Sequence, residues 1–188
     1  MSLPKILFLI GLFFPVTTLG QKKVTSRDSI VIKNQIEGFF SWYIDTINNK
    51  RPDEGFSPIF VRRADGMTTL DFTKYKDNLR KYKFTEEFIQ RKINEYAQCV
   101  DSLKKIPFDK FSQLTDLQDF ESISCDFGNR YEWTGGQESK DKAELISFKL
   151  VDRKTIIGYV AFTSYGRPDG VAEVTFRKIK KEWRVDNI

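Results

Sequence analysis

Residues 30–49 of the chain read IVIKNQIEGFFSWYIDTINN, and this stretch decides the fold. Its apolar side chains recur at intervals of three and four residues, the spacing that places them along one face of an α-helix. We therefore expect an amphipathic helix here, with Asp28 or Ser29 as its N-cap. The buried stripe of this helix would consist of Ile36, Phe39, Phe40, Tyr43, Ile44 and Ile47.

The residue pattern in the last third of the chain predicts a β-sheet that covers this stripe. Four segments alternate apolar and polar residues and are rich in β-branched and aromatic types, a pattern typical of strands. Their connections are too short for a parallel crossover, so the segments should form an antiparallel meander. They span residues 144–151, 155–164, 171–179 and 183–188. The predicted fold class is α+β, with a long N-terminal helix and further helices packed on one side of the sheet.

The sequence pattern in the middle of the chain predicts further helices and one irregular segment. Residues 71–82 should form a short helix, after a short extended or helical piece at residues 59–61. Thr85 has the pattern of an N-cap for a long helix that Pro107 ends. Residues 108–142 show no regular period and should be mostly loop.

Residues 1–20 have the pattern of a secretory signal peptide. Lys5 precedes an apolar run over residues 6–16, and the small residues Thr18 and Gly20 lie at the positions that a signal peptidase prefers. The run is too short to cross a bilayer, which needs about 20 helical residues. We expect a periplasmic or secreted protein without stable membrane insertion after cleavage.

The remaining residues, 21–188, fit one domain. The chain contains no histidine, which excludes Ser-His and Cys-His dyads and histidine metal ligands. Its formal net charge of +5 is modest, and basic and acidic residues are interleaved along the chain, so no nucleic-acid partner is expected.

The two cysteines, Cys99 and Cys125, can form a disulfide in an oxidising compartment, which would be worth roughly 3 kcal/mol in the chain-entropy model. Two unpaired buried thiols are the alternative, and the sequence leaves the choice open. Asp116, Asp119 and Glu121 carry the oxygen ligands that calcium prefers, but they lack the spacing of an EF-hand loop. A solvated acidic loop explains them better, and we expect neither a metal nor a cofactor.

Both ends of the chain resemble a known family. The stretch FFSWYI at residues 39–44 and the stretch WRVDNI at residues 183–188, after a lysine-rich turn, resemble domain-of-unknown-function family 3828, and LQDF at residues 117–120 is a loose match in the middle. The resemblance implies a cone like that of nuclear transport factor 2, in which a long helix lies in the concavity of a curved antiparallel sheet. It implies no catalytic residue.

A cone of this kind implies a pocket at its wide end, and concave apolar pockets are common ligand sites. Its candidate lining residues are Trp42, Tyr43, Tyr159 and Trp183, which suit an ordinary core equally well. The favoured function is a non-enzymatic binding or interaction protein, in one version an immunity- or inhibitor-type protein. Its partner would be an envelope protein or a small ligand.

The candidate interaction surface of such a protein is aromatic, since aromatic residues are favoured at interfaces. It consists of Phe127, Tyr131 and Trp133. The alternative function is a pocket enzyme that uses a buried carboxylate-Tyr pair, for which Asp45 with Tyr43 or Tyr159 are the candidates. A structural envelope accessory without a small ligand is a third hypothesis, which the sequence does not separate from the first.

Overall fold

The computed structural model describes residues 24–51, 54–126, 132–135 and 138–188; the predicted signal peptide lies outside them. Within these residues, no helix is long and apolar enough to cross a bilayer. The helices and strands, in chain order, are α1 (Ser26–Asn48), β1 (Ile59–Arg62), β2 (Thr68–Asp71), α2 (Thr73–Lys81), α3 (Glu86–Glu95), α4 (Ala97–Leu103), α5 (Phe108–Phe111), α6 (Leu117–Ser122), β3 (Lys142–Leu150), β4 (Thr155–Ser164), β5 (Arg167–Ile179) and β6 (Glu182–Asn187).

The helix predicted from residues 30–49 is present as α1, but it begins earlier than expected. Its N-cap is Thr25, whose hydroxyl oxygen accepts the backbone N–H of Asp28 at 3.1 Å. The predicted cap at Asp28 or Ser29 is therefore wrong, because both residues already lie in the first helical turns. The predicted stripe is buried from Ile36 to Ile44, whereas Ile47 is only partly buried, and Ile32 extends the stripe by one turn towards the N-terminus.

The four C-terminal strands form one antiparallel sheet in the order β3-β4-β5-β6, which confirms the predicted meander. The face of the sheet that meets the core is clearest in β4, where buried and partly exposed residues alternate along the whole strand. Its core-facing side chains include Ile156, Val160 and Phe162. Tyr159 therefore lies on the opposite face of the sheet.

The main hydrophobic core lies between α1 and this sheet. Phe39 and Phe40 are fully buried, and Ile44 is 7% exposed. The ring of Phe40 meets that of Phe162 on β4 edge to face, with 5.0 Å between the ring centres. Phe84 adds a further ring against Phe39 at 4.8 Å. The predicted packing of the helix stripe against the C-terminal strands is confirmed, as is the mixed α+β architecture.

A side chain of α1 forms a hydrogen bond with the backbone of the edge strand of the sheet. The carboxylate of Glu37 accepts the backbone N–H of Leu145 on the edge strand β3 at 2.9 Å. Lys33, one turn earlier, donates to the same carboxylate at 2.6 Å. A β-bulge follows directly, between Leu145 and Ser147.

The middle of the chain differs from the prediction in three places, one of which is that residues 108–142, expected to be mostly loop, contain the short helices α5 and α6. Thr85 caps a helix as expected, with its hydroxyl accepting the N–H of Phe88 at 3.1 Å, but the helix ends at Glu95 and a separate helix, α4, starts at Ala97. The chain before α2 also forms the hairpin β1–β2, so residue 71 belongs to a strand rather than to a helix. The helix predicted over residues 71–82 is shortened accordingly.

A second, smaller core surrounds a disulfide. Cys99 on α4 and Cys125 after α6 are bonded to each other, and both are almost completely buried. Leu70, Leu103 and Phe111 pack around them. The disulfide thus fastens the otherwise irregular part of the chain to a helix.

Candidate functional site

A cleft of about 470 Å³ opens beside the first turns of α1. We call it the N-terminal cleft. Four of its lining side chains are cationic and two are acidic, and a tryptophan and a valine are among the rest. The lining residues are Arg27, Asp28, Val31, Gln35, Lys83, Lys178, Lys181, Glu182 and Trp183.

Three parts of the chain bring these side chains together. The hairpin of β5 and β6 supplies one wall, because its turn places Lys178 and Trp183 opposite each other in the ladder. The backbone at Lys83 forms another part: its carbonyl oxygen accepts the N–H of Val185 on β6 at 2.9 Å. Gln35 on α1 donates to the carbonyl oxygen of Tyr82 at 3.2 Å, which ties the helix to the same segment.

The indole of Trp183 is the unusual group in this cleft. The side chain is 5% exposed, and its Nε1 has no hydrogen-bond partner among the described residues. A buried donor without an acceptor costs free energy, about 1–3 kcal/mol in typical proteins. The ammonium of Lys178 lies over the indole ring, 5.0 Å from its centre. At Trp183 the cleft therefore combines an indole N–H that has no hydrogen-bond partner among the described residues with the ammonium of Lys178 over the ring.

Asp28 is the acid nearest to these two groups. Its carboxylate is 3.5 Å from the ammonium of Lys178, a long ion pair. Burial raises the pKa of Asp28, but the indole of Trp183, the hydroxyl of Thr25 and Lys178 together lower it below its ordinary value. The indole thus lies close to the carboxylate without a normal hydrogen bond between them, and an acceptor that takes the place of Asp28 would meet both the N–H of Trp183 and the ammonium of Lys178.

The four predicted pocket residues are not brought together. Trp42 is partly buried and stacks on Tyr82 at 5.3 Å, and Tyr43 lies in the main core. Tyr159 is on the opposite face of the sheet, so it cannot share a pocket with them. Of the four, only Trp183 lines the N-terminal cleft.

Of the three residues of the predicted aromatic surface, the structure describes only Trp133. This residue is 5% exposed and its ring stacks with that of Tyr75 at 6.3 Å, so it belongs to the core and not to an interaction surface. The prediction of an exposed Trp133 is therefore wrong, because neighbouring rings from the helices cover it. Phe127 and Tyr131 lie outside the described residues.

A buried polar cluster next to Trp133 was missed by the sequence reasoning. Glu132 accepts hydrogen bonds from the hydroxyl of Tyr75 at 2.9 Å and from that of Tyr96 at 3.2 Å, and it pairs with the ammonium of Lys92 at 3.0 Å. Only 18% of the Glu132 side chain is exposed. Tyr75 belongs to the main core and Tyr96 to the smaller one, so this carboxylate joins the two cores.

Burial dominates the electrostatics of this cluster. It raises the pKa of Glu132 above its ordinary value, although Lys92 and the two hydroxyls act in the opposite direction. The pKa values of Tyr75 and Tyr96 are raised as well, mainly by burial and then by the charge of Glu132. Both tyrosines therefore remain protonated donors. No local pattern distinguishes Glu132 in the sequence from the other acids of its segment.

The carboxylate predicted for the pocket enzyme lies on the surface. The side chain of Asp45 is 59% exposed and pairs with Arg51, whereas Tyr43 points into the core. The pair of Asp45 with Tyr43 or Tyr159 is therefore wrong. Among the described residues, no three acidic or cysteine side chains are grouped to hold a metal ion.

Comparison of the chain with protein-family models, with curated proteins and with solved structures found no match.

Proposed function

We propose that this chain is an extracytoplasmic, non-enzymatic binding protein that receives an anionic group in the N-terminal cleft. The observation that carries the proposal is the indole N–H of Trp183, which has no hydrogen-bond acceptor among the described residues and lies in a cleft with four cationic side chains. An anion supplies that acceptor and offsets the positive charge at once. A periplasmic or secreted immunity- or inhibitor-type protein, which blocks a toxin or a cell-wall enzyme, is one version of this function.

Support for the extracytoplasmic location comes from two features. The bond between Cys99 and Cys125 is of a kind that persists in oxidising compartments and is rare in the cytosol. The signal-peptide pattern of residues 1–20 agrees with it.

We also propose that the chain is related to domain-of-unknown-function family 3828 and that its sheet forms a cone like that of nuclear transport factor 2. Its support is the position of α1 on one face of an antiparallel sheet, with aromatic side chains between them. β-Bulges in three strand pairs also support it, because bulges bend strands and a cone needs a curved sheet.

The experiment that tests anion binding follows the indole N–H signals of the protein by NMR during a titration with citrate. The chain has three tryptophans, and the variant Trp183→Phe assigns the signal of interest. We expect a saturable shift of the Trp183 signal, with little change at Trp42 and Trp133.

A pair of charge variants provides the control for this titration. Lys181→Glu removes a cation from the cleft and should weaken the citrate response strongly. Lys110→Glu makes the same charge change on α5, whose Phe111 packs in the smaller core and which does not line the cleft, and should leave the response almost unchanged. A Trp183 signal that does not respond to citrate, or that weakens equally in both variants, contradicts the proposal.

A second candidate function is an enzyme with a carboxylate-Tyr pair, and the Glu132 cluster is the observation that favours it. A carboxylate with a raised pKa beside two hydroxyl donors has the chemistry for proton abstraction next to a carbonyl group. Both oxygens of Glu132 already accept hydrogen bonds from side chains, however, which favours a structural role.

Deuterium exchange separates these two roles of Glu132. An enzyme of this kind would exchange the α-protons of small ketones in deuterated water, and Glu132→Gln would abolish the exchange. Exchange at the background rate in the wild-type protein would eliminate this candidate for such substrates.

A further inference from the structure

Two exposed apolar side chains lie beside the N-terminal cleft. Ile30 is 59% exposed and Val31 is 45% exposed, and Val31 also lines the cleft. Both follow Arg27 by three or four residues on α1, so all three share one face of the helix. The cationic cleft therefore continues into an apolar patch formed by Ile30 and Val31.

A second cleft lies on the other side of the β5–β6 turn. Its volume is about 640 Å³, and it shares Lys181 and Glu182 with the N-terminal cleft. Lys180 and Arg184 add further cations there, next to the acids of the first turn of α3. An occupant that crosses the hairpin tip can use both clefts, which requires a ligand longer than a small ion.

The charges in the N-terminal cleft are mixed, and this selects among anionic partners. A small anion such as citrate can pair with the four cations but offers no N–H donor to Asp28 and Glu182. A polypeptide carries carboxylates for the cations and the indole N–H, and it also carries backbone N–H groups that the two acids can accept. An extended segment can also place one side chain in the concave cleft and another beside it.

We propose that the partner is an acidic, extended segment of another protein, which places a carboxylate in the N-terminal cleft and an apolar side chain against Ile30 and Val31. This proposal rests on the proposed function and specifies its partner. Lys178 is the principal cation for the incoming carboxylate, because its pair with Asp28 is long at 3.5 Å and is easily exchanged. The carboxylate also accepts the N–H of Trp183.

The test uses synthetic peptides and the mature chain in isothermal titration calorimetry. The first peptide contains the sequence Glu-Leu-Glu between neutral residues, the second has Ser for Leu, and the third has Gln for both Glu residues. We expect the first to bind best, the second roughly tenfold more weakly, as befits the loss of one buried apolar side chain, and the third not measurably.

The matching protein variants are the double substitution Ile30→Ser with Val31→Ser and the control Val171→Ser. All three residues are exposed, so the fold should be retained in each variant. The double variant should lose about tenfold in affinity for the Leu peptide and little for the Ser peptide. The control should bind both peptides as the wild type does.

The outcomes separate this proposal from the one on which it rests. If citrate shifts the Trp183 signal but the Leu and Ser peptides bind equally, the anion site stands and the protein partner is wrong. If neither citrate nor any peptide binds, both proposals fail. Tighter binding to phosphatidylglycerol vesicles than to the Leu peptide, with dependence on Ile30 and Val31, overturns the protein partner in favour of a membrane surface.

Discussion

The disulfide between Cys99 and Cys125 gives the most direct test of the fold. The two residues are 26 positions apart, and the chain-entropy model assigns such a loop a stabilisation of about 3.5 kcal/mol. We expect the double variant Cys99→Ala with Cys125→Ala to lose about this much free energy of unfolding. In this model the loss arises because the unfolded chain is less restricted without the cross-link.

Urea denaturation of the wild type and the double variant, followed by circular dichroism, measures this loss. Thermal denaturation of the same two proteins should show a fall in Tm of roughly 7–14 °C, which corresponds to 3.5 kcal/mol in a chain of this size. Addition of a reductant should destabilise the wild type to a similar degree and leave the double variant unchanged. Free energies of unfolding within about 1 kcal/mol of each other, or a variant that responds to the reductant, would refute the reasoning.

Two further predictions concern the cores. Phe40→Ala removes a fully buried ring from the contact with Phe162 and should cost about 3–5 kcal/mol in urea denaturation, whereas a cost below about 1 kcal/mol would contradict the packing of α1 on the sheet. For Glu132, the folded pKa is raised, so its contribution to stability is fully present below its ordinary pKa of 4.5 and is lost as the pH rises through the folded pKa. The stability of the wild type relative to Glu132→Gln should therefore increase when the pH is lowered from neutral towards 4.5, and a constant difference across this range would refute the assignment.

The long N-terminal helix and the C-terminal sheet could be predicted because their signals are local. The apolar residues of α1 recur with a helical period and those of the strands with a period of two. Both patterns match the folded protein because these apolar side chains pack against one another in the core. The stop between α3 and α4 has no such signal. Tyr96 leaves the helix while its hydroxyl bonds to Glu132 and its ring meets Phe72 at 5.5 Å, contacts that become visible only in three dimensions.

The candidate site was less predictable than the fold. Asp28 and Lys178 are 150 positions apart in the chain and meet only because the β5–β6 hairpin packs beside the first turn of α1. Charged residues follow no apolar period, so the pattern of the sequence gives no sign of their convergence. Trp183 was a candidate because the family resemblance implied a cone with a pocket, but its unsatisfied N–H depends on the geometry of its neighbours.

The contact between Glu37 and Leu145 has a consequence for how the protein behaves in a crowded compartment. An edge strand offers free backbone groups to any extended chain nearby, and such pairing leads to aggregation. A chain that added to β3 at Leu145 would have to displace the carboxylate of Glu37 and break its pair with Lys33. The first helix thus hinders strand addition at this one position of the edge strand.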